Sequence, residues 1–146
     1  MQSSAKRSAA ELESESISIA LTDEEQSFLR WGLELWRGPI YPSQQMRQGL
    51  GFVTSRELFD WVETHLHRVR EETTFSRKEW TTVLALSELA FASETAGGAA
   101  DWAVVSAIPD EKAIKILRSV QRKLRRVILR YDVYSGELRG AMGEWL

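Results

Sequence analysis

The chain has 146 residues, a formal net charge of −2 and no cysteine. A chain of this length typically forms one domain and buries about two-thirds of the surface that it exposes when unfolded. The lack of cysteine excludes disulfides, thiolate nucleophiles and Cys-ligated metal sites. The longest apolar runs, such as residues 89–92, hold four residues, whereas a membrane-spanning helix needs about 20. Lys6 and Arg7 are not followed by the apolar stretch of a signal peptide, so we expect a soluble, cytoplasmic protein.

Positive charge is concentrated in one part of the sequence. Residues 1–109 carry ten basic and 16 acidic side chains, a net charge of −6. Residues 110–131 carry eight basic and two acidic side chains, a net charge of +6, and residues 132–146 have a net charge of −2. This basic element inside an acidic chain is a candidate contact surface for a charged partner.

The first part of the chain is typical of a flexible tail. Residues 1–16 are rich in Ser, Ala and Glu and contain one leucine. Ile17, Ile19 and Leu21 then alternate with small residues, which indicates a short strand-like or extended segment too short to found a sheet. We therefore expect a single helical domain over residues 17–146, preceded by the tail.

Three capping boxes, each a Ser or Thr followed by Glu three residues later, predict helix starts. They predict helices over about 23–37, 55–72 and 77–95, with the boxes at Thr22 and Glu25, Thr54 and Glu57, and Ser76 and Glu79. Gly38-Pro39 ends the first of these helices, because proline cannot continue the hydrogen-bond ladder. A short helix over about 43–50, closed by Gly51, lies between the first two.

The helix over 77–95 is predicted to be the central one. Trp80, Val83, Leu84 and Phe91 form one wide apolar face, and further leucines extend it around the cylinder. A helix that is apolar over so much of its surface is usually flanked by neighbours on two sides.

Residues 96–109 contain two adjacent glycines, and the pattern does not distinguish a helical turn, a loop or an extended piece. A long helix over about 110–131 follows, and from about 132 three glycines indicate an irregular segment. The fold class predicted by these patterns is all-α, a single-domain bundle of four to six helices.

The long helix is amphipathic. Its apolar side holds Ala113, Ile114, Ile116, Leu117, Val120, Leu124, Val127, Ile128 and Tyr131. The other side, which we call the basic face, holds Lys112, Lys115, Arg118, Arg122, Lys123, Arg125, Arg126 and Arg130. Burying these cations without counter-charges would be costly, so the basic face must meet solvent or acidic groups.

Three interpretations of the basic face compete. It is a solvated face partly paired with acidic residues of the first two helices, or it docks an acidic protein partner. It could also contact the phosphate backbone of a nucleic acid, although the sequence pI near 5.8 and the absence of interleaved aromatic residues argue against this. A membrane role is not expected, because the core needs the apolar side of the helix. The protein could also form a homo-oligomer.

Other patterns carry little chemistry. Residues 43–62 have a weak helix-turn-helix rhythm, but the acidic residues of the second helix would repel phosphates. His65 and His67 point to different sides of a helix and cannot pair as metal ligands, and His65 is expected to be half-buried. Phosphate-loop and nucleophile signatures are missing, so no catalytic residue and no cofactor are predicted. The hypothesis is a non-enzymatic interaction or regulatory protein, followed by a nucleic-acid-associated factor and by a small enzyme without a recognisable motif.

Overall fold

The computed structural model describes residue 11, residues 14–96 and residues 98–133, with side chains described as far as residue 128. The helices over these residues are α1 (Asp23–Glu34), α2 (Gln44–Gly49), α3 (Ser55–Glu71), α4 (Arg77–Ala92), α5 (Trp102–Ser106) and α6 (Asp110–Val133). Short 3-10 turns over Leu35–Arg37 and Ala99–Asp101 follow α1 and precede α5, and the strands are β1 (Ser16–Ser18) and β2 (Thr74–Ser76). The predicted all-α class is confirmed.

The capping boxes act as the sequence predicts at two of the three helix starts. The hydroxyls of Thr22 and Ser76 accept hydrogen bonds from the Glu25 and Glu79 amides, and each glutamate accepts one from the cap amide. At the start of α3 the glutamate side chain instead accepts from the amide of Val53, one residue before the cap. Each contact satisfies an amide that would otherwise lack a partner at the helix start.

The central position predicted for α4 is confirmed. This helix packs against α1 on one side and α6 on another. Trp80, Val83 and Leu86 are fully buried, and the backbone oxygen of Leu86 accepts a hydrogen bond of 3.0 Å from the Trp36 indole. The bundle is therefore organised around α4.

α1 and α4 cross closely at Gly32 and Ser87. A Cβ atom added to Gly32 would lie 2.3 Å from the Oγ atom and 2.8 Å from the Cα atom of Ser87. Ser87 is itself fully buried, and its hydroxyl donates to the carbonyl of Val83. The two helices pass so closely because neither residue carries a large side chain.

The segment around Ile17 forms the strand β1. The linker between α3 and α4, for which the sequence predicts no strand, forms β2. β1 pairs with β2 in antiparallel register, with Ile17 opposite Phe75. The indole of Trp80 donates to the Ile17 carbonyl over 2.8 Å, which attaches β1 to α4. Ser16, predicted as the end of the tail, is the first residue of β1, and residues 1–10, 12 and 13 of that tail lie outside the described residues.

Three helix ends differ from the predictions. The first helix, predicted to reach residue 37, is α-helical only as far as Glu34 and continues as the 3-10 turn Leu35–Arg37. The helix predicted to reach residue 95 ends at Ala92, because Ser93 takes an extended conformation and its hydroxyl accepts from the Ala96 amide, which turns the chain. The last helix continues to Val133 rather than to about 131. The irregular segment predicted beyond it lies outside the described residues from residue 134 onward.

Across the helices that the structure describes, none has the length and apolar content that a membrane crossing requires.

Replacing Gly32 with alanine tests the α1–α4 crossing. The new methyl group would meet the Cα atom of Ser87, so the helices must separate, and we expect a loss of about 1–3 kcal/mol in the free energy of unfolding. Urea denaturation followed by circular dichroism measures it. Gly49→Ala is the matched control, because no atom lies within 4 Å of its added Cβ and the position is helical. Equal stability of the two variants would contradict the close crossing.

Candidate interaction surface

The long helix α6 places its apolar side in the core. Ala113, Val120 and Leu124 are fully buried where α6 packs on α1 and α4. Ile114, predicted on the same side, is 49% exposed, which corrects that assignment. On the helical wheel Ile114 lies about 60° from the buried Leu117, near the boundary between the two faces of the helix, and the core does not cover it.

The basic face is divided between two edges of α6. At about 100° per residue, Lys112 and Lys123 lie toward α1, whereas Arg118, Arg122 and Arg125 lie toward α4. The edge toward α1 is paired with carboxylates. Lys112 contacts Glu24 at 2.7 Å, and Lys123 contacts Glu25 at 2.5 Å, so these two lysines fasten α6 to α1.

Glu25 is a buried carboxylate that the sequence does not distinguish from an ordinary capping residue. It is 3% exposed, and it accepts hydrogen bonds from the Lys123 ammonium, the Ser119 hydroxyl and the Thr22 amide. Burial raises the pKa of Glu25, but these hydrogen bonds and the positive charge of Lys123 outweigh it, so its pKa lies below the ordinary value. Glu25 therefore caps α1 and anchors α6 at once.

The edge toward α4 is different, because its cations lie in a groove. Arg118, Arg122 and Arg125 are exposed and have no ion pair with any carboxylate in the described part of the chain. The groove between α4 and α6 has a volume of about 470 Å³. Its lining residues are Leu84, Glu88, Arg118, Gln121, Arg122, Arg125 and Ile128. We call it the arginine groove.

Polar contacts span the arginine groove from wall to wall. The Gln121 amide donates to the Glu88 carboxylate over 2.6 Å, and Arg118 donates to the oxygen of the same Gln121 amide over 2.7 Å. The sequence does not single out Gln121 or Glu88 as partners, because a single helix pattern does not show which residue of α4 faces which residue of α6.

The other predicted members of the basic face lie away from the groove. Lys115 is exposed on the outer surface of α6 and has no ion pair among the described residues. Arg126 is also exposed and lines a second cleft beside β1. The side chain of Arg130 lies outside the described residues.

A separate ionic cluster joins α3 to the start of α4. His65 is buried, and its Nδ1 and Nε2 atoms lie 2.8 Å from the Trp61 carbonyl and 2.5 Å from the Glu79 carboxylate. Arg68 donates to the same carboxylate over 2.6 Å. Burial raises the pKa of Glu79, but the Ser76 amide, His65 and Arg68 together lower it below its usual range. This carboxylate is fully engaged in holding the two helices together, and His65 is more buried than predicted.

No group of three or more His, Cys, Asp or Glu residues that could hold a metal ion occurs in the described ranges.

Comparison with known proteins gives no relative: no family model matches the chain, and neither does any curated protein or solved structure at a significant level.

Replacing Glu25 with glutamine tests its anchoring role. The variant leaves the Lys123 ammonium without its carboxylate, so we expect a loss of about 1–3 kcal/mol in the free energy of unfolding at neutral pH. Glu24→Gln is the matched control, because the Glu24 side chain is 59% exposed and its pair with Lys112 is solvent-screened, which predicts a loss below about 1 kcal/mol. Urea denaturation of both variants gives the comparison, and equal losses would contradict the anchoring role.

The stability lost in Glu25→Gln should depend on pH. The pKa of Glu25 in the folded protein lies below its ordinary value of 4.5, so the stabilisation is present above pH 4.5 and is lost as pH falls through the folded value. The difference in stability between wild type and Glu25→Gln should therefore shrink as pH is lowered below 4.5. If urea denaturation gives the same stability difference between the two proteins throughout that pH range, the assigned ionisation of Glu25 is contradicted.

Proposed function

We propose that this protein binds an acidic segment of a protein partner in the arginine groove and has no catalytic role. The observation that carries the proposal is the arrangement of Arg118, Arg122 and Arg125. Their side chains line one groove without an ion pair to any described carboxylate.

The contrast with the neighbouring cations supports this assignment. Lys112 and Lys123, on the other edge of the same helix, meet carboxylates of α1 at 2.7 and 2.5 Å. The groove arginines are spaced by four and three residues and project from successive turns of one side. Arginine forms bidentate hydrogen bonds with carboxylates, so such a row matches a partner that presents Asp or Glu at helical spacing.

The walls of the groove favour a protein over a nucleic acid. Leu84 and Ile128 contribute apolar surface beside the arginines, and Glu88 contributes a carboxylate. An amphipathic partner helix can bury apolar side chains against such walls while its acidic residues meet the arginines. A phosphate backbone would gain nothing from the apolar surface and would be repelled by Glu88.

Reversing the groove charge tests the proposal. The variant carries Arg118→Glu, Arg122→Glu and Arg125→Glu, and the probe is a synthetic helical peptide with glutamates on one face and leucines on the other. We expect the peptide to bind the wild type with submillimolar affinity and the variant at least about tenfold more weakly, because complementary charge becomes repulsive. Fluorescence anisotropy measures both affinities.

The matched control carries the same change in net charge elsewhere. Arg56, Arg70 and Lys78 lie outside the groove and are exposed, so their combined replacement by glutamate should leave peptide affinity within about twofold. Equal weakening by both triple variants would show that only the overall charge matters and would overturn the proposal. So would tighter binding of a DNA duplex than of the peptide, with affinity falling steeply as salt is raised.

A further inference from the structure

A second cleft lies on the other flank of α6, beside β1. It has a volume of about 340 Å³ and is lined by Glu15, by the whole of β1, and by Arg77, Arg126 and Val127. None of the three groove arginines lines it. We call it the strand cleft, and its chemistry does not depend on the function proposed for the arginine groove.

Arg77 is a buried cation whose hydrogen-bonding capacity is mostly unused. The residue is 5% exposed, and its Nη1 atom donates to the carbonyl of Val127 over 2.9 Å. Its Nε atom has no acceptor in the described part of the chain. A guanidinium offers five N–H donors, so one backbone carbonyl satisfies a small share of them.

The counter-charge that Arg77 receives is loose. Among the described residues, the carboxylate paired with Arg77 is that of Glu15, whose oxygen lies 3.8 Å from Nη2, which is an ion-pair distance rather than a hydrogen bond. The Glu15 side chain is 37% exposed, whereas that of Arg77 is 6% exposed. A buried cation with such distant compensation is costly, and a closer anion would relieve that cost.

A second arginine faces the same space. Arg126 is exposed, lines the strand cleft, and has no ion pair with a described carboxylate. The exposed residues Ser16 and Ser18 also line the strand cleft, and the Ser18 hydroxyl is hydrogen-bonded to that of Thr74 over 2.6 Å. Two guanidiniums with neighbouring hydroxyls are the donor set that proteins use for tetrahedral oxyanions, because arginine binds phosphate oxygens in a bidentate manner.

We infer that the strand cleft binds a phosphate group between Arg77 and Arg126, with Glu15 as the carboxylate that competes for Arg77. A doubly charged oxyanion displaces a single distant carboxylate because it gains shorter, charge-assisted hydrogen bonds from both guanidiniums. The phosphate belongs either to free inorganic phosphate or to a small phosphate monoester, and the chemistry of recognition is the same for both.

The test is isothermal titration of the full chain with inorganic phosphate, with acetate at equal ionic strength as the comparison anion. We expect saturable binding of phosphate and much weaker binding of acetate. Arg126→Gln should weaken phosphate binding about tenfold, because it removes one of the two guanidiniums from an exposed position that does not threaten folding. Glu15→Gln should strengthen it several-fold, because the competing charge is gone. Lys115→Gln, on the outer surface of α6 and outside both clefts, should leave it unchanged.

Arg77→Lys adds a second check on the buried side of the strand cleft, because it keeps the charge but loses the bidentate geometry, and it should also weaken binding. A parallel titration with O-phosphoserine separates the two sources: tighter binding of the monoester assigns the site to a phosphate carried on a larger molecule, and tighter binding of phosphate assigns it to the free anion. Absence of saturable phosphate binding, or equal affinity in wild type, Arg126→Gln and Lys115→Gln, would overturn the inference.

Discussion

Where α1 and α4 cross, the two helices leave no room for a side chain at position 32. A Cβ atom at position 32 would meet the Cβ atom of Ser87 at 2.6 Å, so α1 and α4 cross with their backbones almost in contact. This crossing brings the indole of Trp36 to the Leu86 carbonyl and holds α4 against α1. With one side of α4 closed by α1, its remaining apolar surface receives α6, and the position of α6 determines where the cations of the basic face lie.

α6 is anchored by only some of its cations, namely those that form ion pairs with carboxylates of α1. Lys123 is partly buried because it reaches Glu25 and the carbonyl of Ala20, both fixed by the start of α1. The burial of Glu25 would be unfavourable alone, but three donors surround it, and the pair is stabilising as long as both members remain charged. The lysines of the basic face near α1 therefore stabilise the fold, whereas the arginines near α4 have no ion pair with a carboxylate among the described residues.

The two clefts that flank α6 differ in what they would recognise. The arginine groove combines three exposed guanidiniums with apolar walls, which suits the surface of an amphipathic acidic segment. The strand cleft combines one buried and one exposed guanidinium with small hydroxyl residues, which suits a compact oxyanion. Both proposals follow from the charge distribution on α6: the described carboxylates pair with its cations on the edge toward α1, and they form no ion pair with Arg118, Arg122, Arg125 or Arg126.

The sequence by itself determined the elements of this protein, because helix starts and apolar periodicity are local properties. The capping residues Thr22 and Ser76, the central helix and the amphipathic α6 all follow from short-range patterns. The tertiary structure decided which residues of different helices and strands contact each other. Three contacts join residues that are more than 50 positions apart in the sequence: Gly32 with Ser87, Glu25 with Lys123, and Glu15 with Arg77. A single sequence records no such distances, so it predicted eight equivalent cations where the fold distinguishes anchors, groove residues and cleft residues.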